Sequence, residues 1–178
     1  MTHFTILHTY ARTFLASTLV ILVLVFGCTS KAEKNKLASG RAPDFALKNL
    51  EGKTLRLENL RGKVVLLNFF ATWCRPCLQE IPDFVRLYKK YKDQGLEIVG
   101  ISLDMEGASL LIPFVRKYSI NYPIVLGTRN VVEDYGGVTG IPTSFFIDRN
   151  GIIAGHFIGV RPARVLEKTV LELLSKKG

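Results

Sequence analysis

Between Val64 and Pro82 the chain reads V-V-L-L-N-F-F-A-T-W-C-R-P-C-L-Q-E-I-P. Val64 to Phe70 is apolar and rich in β-branched and aromatic residues, with Asn68 as its one polar member. A run of that kind predicts a strand buried on both faces, as at the centre of a parallel sheet. Ala71 to Trp73 leave the strand, and Cys74-Arg75-Pro76-Cys77 open a helix. Pro76 falls in the first turn, where a missing N–H costs little. Cysteines at i and i+3 share one helical face, so their sulfurs can meet. Cys74 stands where unpaired N–H groups and the positive end of the helix dipole favour thiolate over thiol. A strand that delivers a dithiol to a helix N-terminus is a redox device. Two plainer readings compete: a zinc site and inert buried thiols. Tetrahedral zinc needs four ligands. Beyond the N-terminal segment only His156 and Met105 add soft donors, so no metal is expected.

The chain has 178 residues, 48% of them apolar, and a formal net charge of +9. No basic block interleaved with aromatics occurs, which argues against nucleic acid as a partner. Positive charge is densest at Lys31, Lys34, Lys36 and Arg41, and an anionic membrane surface is its simpler counterpart. Residues 1–28 read as an export signal. Arg12 supplies positive charge, no acid precedes Glu33, and Phe14 to Phe26 is apolar except for Ser17 and Thr18. The segment closes Val25-Phe26-Gly27-Cys28, similar to a bacterial lipoprotein cleavage site, which would make Cys28 the lipidated first residue. An uncleaved signal anchor is the alternative; the apolar stretch is near the lower limit for spanning. Either reading puts the domain outside the cytoplasm, tethered to a membrane. With Cys28 set aside, the remaining two of the three cysteines form one pair.

Residues 29–40 are polar and lysine-rich and read as a flexible tether; residues 41–178 read as the folded domain. Asp44 to Leu50 and Thr54 to Leu57 alternate around the turn Glu51-Gly52-Lys53, predicting a hairpin. A helix from Cys77 to about Gln94 carries Ile81, Phe84, Val85, Leu87, Tyr88 and Tyr91 as an apolar stripe, with Pro82 expected to kink it. A strand at 96–103, a helix at 108–118, a short strand at 122–126 and a short helix at 131–135 follow. A hairpin over 143–158 and a last helix from Pro162 close the chain. Strands alternating with helices, then a terminal hairpin and helix, predict an α/β sandwich around a mixed sheet.

Trp73-Cys74-Arg75-Pro76-Cys77 after a buried strand, with Gly140-Ile141-Pro142-Thr143 far downstream, resembles the thioredoxin superfamily. The N-terminal extension narrows the likeness to membrane-tethered thiol-disulfide oxidoreductases of the TlpA/ResA type. The likeness implies a thioredoxin-like three-layer sandwich, a mixed central sheet flanked by helices. The hairpin at 44–57 and the strand-helix at 122–135 would be additions to a minimal thioredoxin. It also implies a cis peptide bond at Ile141-Pro142, with the backbone of Ile141 pairing with an extended substrate. Cys74 would be the nucleophile, nearer the exposed rim, and Cys77 the resolving thiol. Arg75 adds a positive charge beside Cys74, and Trp73 would shield the disulfide and face the partner. Asn68 stands where minimal thioredoxins carry a buried aspartate, and asparagine cannot shuttle a proton. Glu80, one turn beyond Cys77, is the substitute, since a glutamate there marks the TlpA/ResA type. Its exchange with glutamine should alter thiol exchange more than stability. Asp104 and Glu106 read as solvated.

The activity implied is reduction of disulfides in exported proteins, apocytochrome c among them, with electrons from a membrane-embedded dithiol partner and no cofactor. A thiol peroxidase of the peroxiredoxin type is one alternative. Its Pro-x-x-x-Thr-x-x-Cys pattern would place Pro and Thr at positions held here by Leu67 and Ala71. A redox-inert chaperone or binding module is the other, against which both retained cysteines argue.

Overall fold

The computed structural model describes residues 40–176. Residues 1–28, read as an export signal ending in Cys28, and all but the last residue of the expected tether at 29–40 lie outside them. Seven strands and four α-helices follow in chain order among the described residues: β1 (Ala46–Lys48), β2 (Thr54–Arg56), β3 (Val64–Phe70), α1 (Arg75–Tyr91), β4 (Leu96–Ser102), α2 (Ala108–Lys117), β5 (Ile124–Leu126), α3 (Arg129–Asp134), β6 (Thr143–Ile147), β7 (Ile153–Ile158) and α4 (Ala163–Ser175). The main sheet has the order β5-β4-β3-β6-β7. β3, β4 and β5 run parallel, while β6 is antiparallel to both β3 and β7.

β3 sits at the centre, and all seven of its residues are buried, as its unbroken apolar run predicts. Alternate side chains feed two cores. Val64, Leu66 and Phe70 pack with Phe84 and Leu87 of α1, Leu111 and Phe114 of α2, and Leu166 and Val170 of α4. Val65, Leu67 and Phe69 point the other way, towards Val131 of α3, Tyr135, and Phe45 and Leu47 of the β1–β2 hairpin. The result is the expected mixed sheet between two covering layers. The hairpin is part of the second cover: β1 and β2 form their own two-stranded sheet, joined to the main one by a single bridge from Asn49 to Val125. A 3₁₀ turn at Leu57–Leu60, absent from the sequence reading, returns the chain to β3.

α1 runs through Pro82 as one helix, with its apolar stripe against the sheet. Asn68 is buried on β3 and donates from Nδ2 to Ser144 Oγ at 3.0 Å, so it cross-links β3 to β6. At the opposite end of the sheet from the cysteines, Arg149 donates to the carbonyls of Gly62, Gln94 and Leu174. That guanidinium ties the start of β3 to the chain beyond α1 and to the last turn of α4.

Candidate active site

The chain leaves β3 through a tight turn in which Cys74 N–H donates to Ala71 O at 3.1 Å. Cys74 is the N-cap of α1 in extended backbone geometry, and its sulfur accepts from Cys77 N–H at 3.2 Å. Pro76 lies in the first turn, where its fixed φ suits a helix start. Cys74 and Cys77 are joined in a disulfide with their α-carbons 5.3 Å apart. In this oxidised form Cys74 is 5% and Cys77 2% exposed, so the difference in access between the sulfurs is small. Cys74 Sγ lies 3.7 Å from Ile141 O. The disulfide sulfur has no proton to donate, but a thiol at that place would.

The Ile141–Pro142 bond is cis. Pro142 O accepts from Gly159 N–H at 2.7 Å, and Thr143 Oγ1 donates to Gly140 O at 2.6 Å. These bonds hold the loop at the mouth of the sheet, where β3 ends, β6 begins and β7 ends. Trp73 is 71% exposed, too much for a packing side chain, and Arg75 is exposed beside it.

Glu80 is 2% exposed on the inner face of α1. Oε1 accepts from Arg161 N–H at 2.9 Å, while Oε2 is buried with no partner among the described residues. Burial pushes its carboxyl up to about 7; the Arg161 N–H opposes that rise, and the nearby Asp83 charge adds to it. Glu80 is therefore a core carboxyl and not a surface side chain of the helix. The other buried carboxylate, Glu97, makes the contrast: both its oxygens are occupied, by Lys63 Nζ and Tyr88 OH, each at 2.8 Å. Of the two, Glu80 is the one with spare acceptor capacity, and it stands one helical turn from Cys77.

Asp104 is the site residue that the sequence reading missed. It is not solvated: Oδ1 and Oδ2 accept from Thr72 N–H at 3.2 and 3.0 Å, Oδ1 from Thr72 Oγ1 at 2.8 Å, and Oδ2 from Ser102 Oγ at 2.8 Å. The turn that presents Trp73 and Cys74 is thus buttressed from the end of β4. The signal available in the sequence was its place just past a parallel strand, at the end of the sheet where sites collect. Arg161 was missed too, because it contributes a backbone N–H, which residue identity does not disclose. No group of side chains suited to hold a metal occurs among the described residues.

The AhpC/TSA family matches residues 38–156. Thiol-disulfide oxidoreductase ResA of Bacillus thuringiensis (strain Al Hakam) is 39% identical over 137 residues, covering 76% of this chain and 79% of the relative. ResA of Bacillus subtilis (strain 168) is 38% identical over 138 residues, covering 75% and 76%. Among solved structures, a thioredoxin-family thiol:disulfide interchange protein from Chlorobium tepidum TLS matches with a TM-score of 0.70 at 35% identity, covering 76% of this chain and 96% of that one. StoA from Bacillus subtilis matches with a TM-score of 0.61 at 27% identity, covering 71% and 96%.

Proposed function

This chain belongs to the AhpC/TSA family and is a thiol-disulfide oxidoreductase, and we propose that it works outside the cytoplasm as a reductant of disulfides in exported proteins. The observation that carries the exchange chemistry is the buried, half-unpartnered Glu80 one turn from Cys77, and the reductive direction is what the likeness to TlpA/ResA-type reductases implies. In the proposed cycle, Cys74 thiolate attacks one sulfur of a substrate disulfide and expels the other as a thiolate. Cys77 then gives its proton to the Glu80 carboxylate and attacks Cys74 Sγ. The second substrate thiolate leaves, and the Cys74–Cys77 disulfide remains. Two electrons pass to the substrate, and the proton on Glu80 is available to a departing thiolate. A carboxyl that titrates near 7 is matched to both directions of transfer at neutral pH. A buried negative charge also disfavours the Cys77 thiolate, which keeps the resolving thiol protonated until the mixed disulfide has formed.

Several residues serve this cycle. The helix N-terminus and the Cys77 N–H stabilise charge on Cys74 Sγ. The Ile141 carbonyl and the cis Pro142 present backbone to an extended substrate, with Trp73 and Arg75 at the rim. Residues 1–28 direct export and Cys28 carries lipid, so that the domain over 41–178 stands on a tether at the membrane. There it takes electrons from a membrane dithiol protein and passes them to substrates of the apocytochrome c class. A peroxidase reading gains no support, because Leu67 in the middle of β3 and Ala71 just past its end, both buried, stand where a peroxidatic site needs Pro and Thr.

The deciding measurement is the reduction potential of the Cys74/Cys77 pair against a glutathione or thioredoxin reference. A reductant is expected near the thioredoxin end, about −270 mV, and a value near −120 mV would overturn the reductive direction. Capturing substrates from the cell envelope as mixed disulfides with Cys77→Ser identifies the chain attacked. Cys74→Ser should capture none.

A further inference from the structure

The strand directions bring five chain segments to one edge of the main sheet: the ends of β3, β4, β5 and β7 and the start of β6. The dithiol lies in the middle of that edge. Five large apolar side chains are exposed among the described residues, and three of them stand on this edge: Trp73 after β3, Met105 after β4, and Ile158 at the end of β7. Met105 is 98% exposed. Together with Leu103, Asp104, Leu126, Thr128, Arg129 and Val132 it lines an open cleft of about 570 Å³. Asp104 is the residue that grips Thr72, so the cleft and the cysteine turn share a wall.

We propose that the cleft at the ends of β4 and β5 is a substrate subsite that takes a large apolar side chain flanking the reactive cysteine of the target polypeptide, with Met105 as its flexible rim. The inference rests on the disulfide-reductase reading above and adds a sequence preference to it. A substrate strand laid across the edge meets segments about 4.8 Å apart, while its own residues advance about 3.3 Å each. With its cysteine over Cys74, on the β3 segment, a residue two or three positions away reaches the β4–β5 cleft. The opposite flank passes Ile141 and Ile158. Methionine suits such a rim because its unbranched, polarisable side chain adapts to partners of different shape. Asp104 does not make the cleft hostile to apolar groups, since its oxygens are occupied by Thr72 and Ser102.

The test uses the reduced full-length protein and short synthetic peptides carrying one cysteine as a mixed disulfide with glutathione. Phenylalanine or glycine is placed two or three residues from that cysteine, on either side. On one side only, phenylalanine should raise kcat/KM about tenfold over glycine, mainly through KM. Met105→Asp puts a charge at the rim of a side chain that packs on nothing, so the fold is spared. It should cut that preference to about twofold or less and leave reduction of oxidised glutathione unchanged. Equal rates for phenylalanine and glycine at every position overturn the subsite, as does an undiminished preference in Met105→Asp. Failure to reduce oxidised glutathione or any peptide overturns the reductase reading together with the subsite, and is a separate outcome from exchange without preference.

Discussion

Replacing Glu80 with glutamine gives a quantitative test, because the buried carboxyl couples the chemistry to stability. In the unfolded chain this group titrates at the ordinary 4.5, and in the folded protein at about 7. Below about pH 4.5 it is protonated in both states and costs nothing. As pH rises between the two values, the unfolded chain releases the proton first, and stability falls. Above about 7 the loss is complete. Its ceiling is about 3 kcal/mol, which is the free-energy equivalent of moving the group from 4.5 to about 7. Glutamine keeps an oxygen for the Arg161 N–H but has no charge to bury. The variant and the parent should therefore unfold alike at pH 4.5, apart from a constant offset. By pH 8 the variant should be more stable by up to about 3 kcal/mol beyond that offset, or roughly 6–12 °C in Tm. Urea unfolding of the oxidised proteins, followed by far-UV circular dichroism at pH 4.5, 6 and 8, reads the difference. Groups common to both proteins cancel in it. The same variant should resolve mixed disulfides more slowly near neutral pH and lose the step in that rate around pH 7. A stability gap that stays flat from pH 4.5 to 8 would refute the burial argument and, with it, the proton-transfer role. The burial of Glu80 adds this pH-dependent stability change to the expected effect on exchange.

Three other substitutions probe the two ends of the sheet. Asp104→Ala leaves Thr72 N–H and Oγ1 without their acceptor, and should cost about 2–3 kcal/mol in urea unfolding and slow the attack by Cys74; unchanged alkylation kinetics at Cys74 would show that the turn holds without it. Arg149→Met removes three bonds to main-chain carbonyls far from the sulfurs, so unfolding should be easier by about 2 kcal/mol while the reduction potential stays put. Gly127→Ala would set a methyl 2.6 Å from Ser102 O, a backbone atom that cannot yield cheaply. A loss of about 1–3 kcal/mol is expected there, and a neutral result would mean that the Gly127 N–H to Ser102 O bond can shift without cost.

Features that depend on near neighbours along the chain were legible from residue order. The apolar run from Val64 to Phe70 fixes a two-sided strand, and Cys74 and Cys77 meet because three residues of helix return the chain to the same face. The Ile141-Pro142 pair was legible through resemblance, since nothing local makes that bond cis. What a polar side chain meets after the strands assemble was settled by the folded arrangement. Glu80 is on a helix whose sequence does not say how deeply its position is covered; the Arg161 segment after β7 covers it. Asp104 looks solvated until β3 and β4 lie side by side and put Thr72 within reach, 32 positions away in sequence. Met105 and its cleft exist because three parallel strands end together. Burial and hydrogen bonding across such distances depend on which segments become neighbours, and a pattern read along one strand or helix carries no record of that.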